Sequence, residues 1–302
     1  MARKVRLLTT TGNGRFEEVE WLKPDIGPDQ IEVKAVMTGV CRSDIDMMLG
    51  QFTLPTEMHG HEGLGIITAL GSNIKYEYVK VGDYVATRGE PAYADYYNAD
   101  DGTFVKVPEA NPKYILEPIA CAVNVFEKMS EREPVNSDIC IIGTGFLSSI
   151  VYQILRRHNF KFIDVIGNHN KAYWLLKHGV DVKSNPTSKY DVVFDLGNND
   201  ISLTQDIYEP NGTLIMAAAK HPKVSTNMEY LLWNAVDIKC PSPRDVHFYD
   251  SMFEAERLIK HNLIDINGFW TQGYNRETEW QQAFEDSLKR PDGFNRAYIY
   301  WP

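Results

Sequence analysis

Cys41, His61 and Glu117 lie far apart in the chain, and each carries a side chain able to hold a divalent metal. Cys41 stands in Gly39-Val40-Cys41-Arg42-Ser43-Asp44, His61 follows twenty residues later in Gly60-His61-Glu62-Gly63, and Glu117 directly precedes Pro118. A thiolate, an imidazole and a carboxylate make a zinc set that leaves a fourth position open for chemistry, whereas closed structural sites favour four Cys or His ligands. Spacing alone also allows packed or solvent-facing side chains, the commoner fate of a lone Cys or His.

A second chemical signal is Gly143-Thr144-Gly145-Phe146-Leu147-Ser148, which follows the apolar run 138–142 and opens a helical pattern from Leu147 to His158. In a G-x-G-x-x-G turn the first glycine permits the tight bend. The second lets the backbone approach a pyrophosphate seated on the helix N-terminus. Ser148 takes the place of the third glycine and is small enough for close helix–strand packing. Gly143, Thr144, Gly145, Phe146 and Leu147 are therefore candidate dinucleotide contacts, the alternative being a βαβ unit without a ligand. An acid after the second strand would hold the ribose of NAD. The chain offers Gly167-Asn168-His169-Asn170-Lys171 there instead. Asn168, His169 and Lys171 supply donors and positive charge, which suit a 2′-phosphate. The expected cofactor is thus NADP, with NAD possible; the alternative is a solvated loop.

These groups need a scaffold. The first 110 or so residues are glycine-punctuated, with short strand-like runs at Val5–Leu8 and Ile31–Val36, which predicts a β-rich, barrel-like or sandwich-like unit. From Pro118 the pattern changes. A helix is predicted over 119–129, then strands at 138–142, Phe162–Ile166, Asp191–Asp195 and Thr213–Ala218, with helices at Leu147–His158 and Lys171–His178 between them. Near-continuous apolar strands alternating with helices predict a parallel sheet covered on both faces. Ser251–His261 reads as an amphipathic helix in a return segment. The fold class is α/β, organised as 1–120, 121–246 and 247–302.

Composition narrows the partners. With 302 residues, 43% hydrophobic and 24% charged, the chain is long enough to bury a sizeable core. A net charge of −10 argues against a nonspecific nucleic-acid binder. No apolar run reaches membrane-spanning length, and the basic start lacks the apolar stretch of a signal peptide. Cys41, Cys121, Cys140 and Cys240 form no C-x-x-C pair, and a reduced, cytoplasmic protein is expected. Cys121, Cys140 and Cys240 are expected to be small buried hydrophobes. His158, His169, His178, His221, His247 and His261 are expected to face solvent or to be satisfied locally.

Taken together, Thr38–Asp44, His59-Gly60-His61-Glu62-Gly63-Leu64-Gly65, Val81-Gly82-Asp83-Tyr84-Val85, Leu116-Glu117-Pro118, the Gly143–Ser148 turn and Gln282-Ala283-Phe284 resemble a zinc-dependent medium-chain dehydrogenase/reductase of the alcohol dehydrogenase class. The resemblance covers nearly the whole chain. It implies a β-rich catalytic domain of GroES-like fold, a doubly wound Rossmann domain and an active-site cleft between them. Cys41 and His61 would be zinc ligands, with Glu117 or Glu62 as the third. Asp44 would hydrogen-bond the His61 ring, and Ser43 would relay the substrate proton or, alternatively, cap a helix. Relatives carry a four-cysteine lobe where this chain runs Thr87 to Tyr96, so one zinc rather than two is implied.

Glu117 resembles the carboxylate ligand of polyol and glucose dehydrogenases, and Asn234–His247 with Phe253-Glu254-Ala255 looks loosely like glucose dehydrogenases, so the resemblance implies a polyol or sugar substrate. Dehydrogenation of simple or amino alcohols is the alternative within the class. A non-catalytic nucleotide-binding scaffold and a zinc-free quinone reductase are the others. Val236–Lys239 is expected to be an edge strand pairing across a homodimer, or within a tetramer.

Overall fold

The structure is a computed structural model describing residues 3–52, 54–55, 58–75, 77–129, 133–219, 223 and 225–302. It divides into two units. One holds the chain up to Pro118, Met252–Leu263 and the stretch from Trp270 onward; the other holds Ile119–Ser251 and Ile264–Phe269. The return segment expected over 247–302 is therefore shared, because 247–251 and 264–269 fall in the second unit. His221 lies outside the described residues.

In the first unit β1 (Arg3–Thr9) and β2 (Glu17–Lys23) form an antiparallel pair. The spine is β3 (Gln30–Gly39), where Ile31, Val33 and Ala35 alternate inward as a half-buried strand demands. A short helix, α1 (Arg42–Met48), follows at once. Next come β4 (Gly63–Leu70), β5 (Tyr84–Thr87), β6 (Tyr96–Asp100) and β7 (Phe104–Val107). β3 pairs antiparallel with both β4 and β6. The β5–β6 connection is only residues 88–95 and carries no cysteine. The helix α2 (Glu117–Glu127) begins two residues earlier than predicted.

The second unit contains β8 (Ile139–Ile142), α3 (Phe146–Arg157), β9 (Ile163–Ile166), α4 (Tyr173–Lys177), β10 (Val182–Lys183), β11 (Tyr190–Asp195), α5 (Ile201–Thr204), β12 (Tyr208–Met216), α6 (Met228–Trp233) and β13 (Asp237–Lys239). Its strands are all parallel, in the order β10-β9-β8-β11-β12-β13. Counted from β8, that is the 3-2-1-4-5-6 arrangement of a dinucleotide-binding sheet. All four residues of β8 are buried, as a strand covered on both faces requires.

Two local predictions need correction. The helix expected over Lys171–His178 is a 3-10 turn, His169–Lys171, followed by the five-residue α4. The Asn168 side chain accepts the Asn170 N–H at 2.9 Å and closes that turn in place of a longer helix. The fourth strand starts at Tyr208 rather than Thr213. It runs through Pro210, Asn211 and Gly212, turn-type residues that hide a strand from pattern reading, with Asn211 at φ 64°.

The chain closes with α7 (Phe248–Lys260), β14 (Trp270–Asn275), α8 (Trp280–Lys289) and β15 (Arg296–Tyr300). β15 lies antiparallel to β3, matching Tyr298 with Gly39. Cys140 is buried in the parallel sheet as expected, but Cys121 is half-buried and Cys240 exposed. None of the four cysteines is in a disulfide. Among the described residues no helix is long and apolar enough to cross a membrane.

Candidate functional site

Strand pairing brings distant residues to one end of the first unit's sheet. Cys41 follows β3 and occupies the N-cap of α1. His61 and Glu62 immediately precede β4, whose first residue pairs with Thr38. Arg296 opens β15, and Glu117 opens α2. The result is a compact group, Cys41, His61 and Glu62, whose potential ligand atoms all lie within 4.8 Å of one another. Glu117 is buried outside that trio, yet close enough for its charge to act on both His61 and Arg296.

A carboxylate faces each ring nitrogen of His61. Nδ1 lies 3.8 Å from Asp44 Oδ1 and Nε2 lies 3.9 Å from Glu62 Oε1. Asp44 and Glu62 are fully buried. The Asp44 contact with His61 is an ion-pair distance rather than the hydrogen bond expected. Its other oxygen, Oδ2, accepts from the Cys41 N–H at 2.8 Å and from the Tyr93 hydroxyl at 2.7 Å. Glu62 Oε1 accepts from Arg296. Ser43 is half-buried in the first turn of α1. Cys41 holds the cap position, so the capping alternative for Ser43 falls away.

The electrostatics call for positive charge. Burial, the strongest single influence on His61, disfavours its cation, but Asp44, Cys41 and Glu117 outweigh it and hold the ring well above its ordinary value. Burial pushes the Asp44 carboxyl up. Asp44 Oδ1 and Glu62 Oε2 are buried without a hydrogen-bond partner among the described residues. Such oxygens are costly unless a cation compensates them. Sulfur, nitrogen and oxygen donors with orphaned carboxylate oxygens fit a zinc ion.

In the second unit the glycine turn leaves β8 and enters α3. Gly143 sits at φ 125°, in the region that favours glycine, and an added Cβ would press within 3.0 Å of the Leu196 backbone. A Cβ on Gly145, by contrast, would meet nothing within 4 Å, and Gly145 is the N-cap of α3. That is the open approach a pyrophosphate needs at a helix N-terminus. Ser148 is buried beneath the turn. The Thr144 hydroxyl donates to the Asn168 carbonyl at 3.1 Å, tying the turn to the end of β9. Phe146 is buried against Phe269, Leu147 is half-buried, Asn168 and His169 are exposed, and Lys171 is half-buried.

Residues 27–109 match the alcohol dehydrogenase GroES-like domain family. Over 66% of its length the chain is 25% identical to alcohol dehydrogenase 1 of Emericella nidulans, and it spans 65% of that relative. It is 24% identical to the D-arabitol-phosphate dehydrogenase of Enterococcus avium, over 88% of this chain and 89% of the other. The cobalt- and zinc-bound thermostable alcohol dehydrogenase from Pyrobaculum aerophilum superposes with a TM-score of 0.79 at 17% identity, covering 99% of this chain and 100% of that one. The chain has the fold of the alcohol dehydrogenases.

Two residues at the site escape sequence reading. Arg296, the cation beside Glu62, lies 234 positions away from it and belongs to no local motif. Tyr93 reads as ordinary packing, yet its hydroxyl reaches Asp44. Only the pairing of β15 with β3 and the short β5–β6 connection bring them in.

Proposed function

We propose that this protein is a zinc-dependent oxidoreductase that moves hydride between the hydroxyl-bearing carbon of a polyol, sugar or secondary alcohol and a nicotinamide cofactor, NADP in preference to NAD. The observation that carries the reading is the Cys41–His61–Glu62 cluster, with a buried Glu62 oxygen left without a partner. One zinc would be held by Cys41 and His61 with Glu62 or Glu117, and when bound it supplies the Lewis acidity that lowers the pKa of an alcohol hydroxyl. Asp44 holds His61 through its charge. The Ser43 hydroxyl, in the turn that starts at Cys41, takes the substrate proton and hands it toward solvent. Gly143, Thr144, Gly145, Phe146 and Leu147 orient the dinucleotide through backbone N–H groups at the start of α3, and Asn168, His169 and Lys171 receive the 2′-phosphate.

The polyol reading has support in the Enterococcus avium relative, whose name places a sugar-alcohol phosphate among its substrates. The short β5–β6 connection supports a single zinc. A cytoplasmic setting is supported by the absence of disulfides. Assembly as a homo-oligomer is supported by the open edge of β13, where Ile238 is exposed, and by the exposed Leu232 and Trp233 of α6. A monomer in light scattering overturns that part.

Metal analysis, followed by a panel of polyols, sugars and simple alcohols with both nicotinamides, tests the reading. Cys41→Ala is expected to abolish turnover and zinc retention while cofactor fluorescence titration stays unchanged. Zinc-replete protein that oxidises no alcohol, or full activity in the variant, refutes it.

A further inference from the structure

Tyr93 lies in the β5–β6 connection and is fully buried. Its hydroxyl donates to Asp44 Oδ2 at 2.7 Å and approaches the Gly39 carbonyl at 3.2 Å. The same Asp44 oxygen accepts the Cys41 N–H, and the opposite oxygen faces His61 Nδ1. A single carboxylate thus connects the backbone that presents Cys41 with the ring of His61. Three bonds from the backbone, it can turn about its own Cα–Cβ and Cβ–Cγ axes unless something holds it.

Tyr93 provides that hold, because its ring cannot move. Phe16 meets it edge-on, with centroids 5.8 Å apart and planes at 90°, and Phe284 does the same at 5.4 Å and 88°. Phe16 and Phe284 are themselves stacked at 3.9 Å. The Tyr93 N–H and C=O are also bonded, to His59 and Leu8 respectively. A ring clamped on two edges by a stacked aromatic pair delivers its hydroxyl to one point.

We propose that Tyr93 is a positioning residue for the metal: its hydroxyl fixes the Asp44 carboxylate, and through it the orientation of the His61 ring. This rests on the zinc reading given above. Partners of this kind behind a ligating histidine typically govern metal affinity by 10–100-fold. Aromatic packing alone would be served as well by phenylalanine, so the hydroxyl is the atom under test.

Zinc affinity, measured by competition with a chromophoric chelator, gives a readout independent of turnover. The wild type is measured first; failure to bind zinc there refutes the metal reading itself and this inference with it. With wild-type binding established, Tyr93→Phe is expected to raise the zinc dissociation constant about tenfold while the metal-free protein still unfolds in one cooperative transition, at a midpoint lowered by the lost hydrogen bond. Asp44→Asn is expected to weaken zinc at least as much, and the double variant to be no weaker than Asp44→Asn alone. A Tyr93→Phe dissociation constant within twofold of wild type, or losses that simply multiply in the double variant, overturns the inference.

Discussion

A Cβ placed on Gly39 would lie 2.0 Å from Glu62 Oε2. The last residue of β3 is therefore glycine because the carboxylate behind it occupies the space a side chain would take. Gly39→Ala must displace Glu62, which is fully buried and bonded to Arg296. The expected result is a zinc dissociation constant raised at least tenfold and a stability loss of about 1–3 kcal/mol from overpacking. Chelator competition and thermal unfolding measure the two; unchanged zinc affinity would remove Glu62 from the ligand set.

Arg296 neutralises a carboxylate that has no access to water. Burial disfavours the guanidinium charge, but Glu62 and Cys41 hold Arg296 above its ordinary value. Removing one member of a buried pair typically costs about 3–5 kcal/mol, because the other is left uncompensated. Arg296→Met should therefore lower the urea midpoint of the first unit strongly. Adding Glu62→Gln should recover much of the loss. A single variant as stable as the wild type contradicts this account.

Asp164 links three strands of the second unit, accepting from Lys183 at 2.7 Å and Tyr190 at 2.8 Å. Burial raises its pKa, but the bonds from Lys183 and Tyr190 prevail and hold the carboxyl below its ordinary value. A depressed carboxyl stabilises the fold above the unfolded value, near about 4, and loses that contribution as pH falls through the folded value. Asp164→Asn should be less stable than wild type at pH 7, and the gap should narrow on acidification below about 4. Denaturant midpoints across that range are the measurement; a gap that widens in acid has the wrong sign.

The proposed preference for NADP rests on the end of β9. With Asn168, His169 and Lys171 there, kcat/KM should be higher with NADP than with NAD. Asn168→Asp places a carboxylate where it can accept from a ribose 2′-hydroxyl and repel a phosphate. The ratio should move toward NAD by at least tenfold. Wild-type preference for NAD would discard the assignment.

What could be read from the chain was whatever is local. The Gly143–Ser148 turn, β8 and α3 follow from an apolar run, two glycines and a helical period within twenty residues. Cys41, His61 and Glu117 were legible as candidates because ligand-type side chains stand in short motifs near glycine or proline, whereas Glu62 entered only through the family resemblance. The gathering of Cys41, His61 and Glu62 was not legible, because it depends on the β3–β4 register, in which Thr38 meets Gly63. Arg296 and Tyr93 were missed for the same reason: an arginine before a strand and a tyrosine in a connection carry no period. The broken helix at 169–177 shows the converse, a helical pattern overruled by one Asn168 side chain.

Glu62 and Arg296 are joined across 234 positions of chain. A ribosome must therefore translate all of that stretch before the buried acid acquires its guanidinium companion. Until then the nascent N-terminal region holds an unmatched charge at its heart, and chains stalled ahead of Arg296 are expected to retain no zinc in pull-down assays of ribosome-bound protein. On the proposed function, metal loading would wait for the synthesis of Arg296.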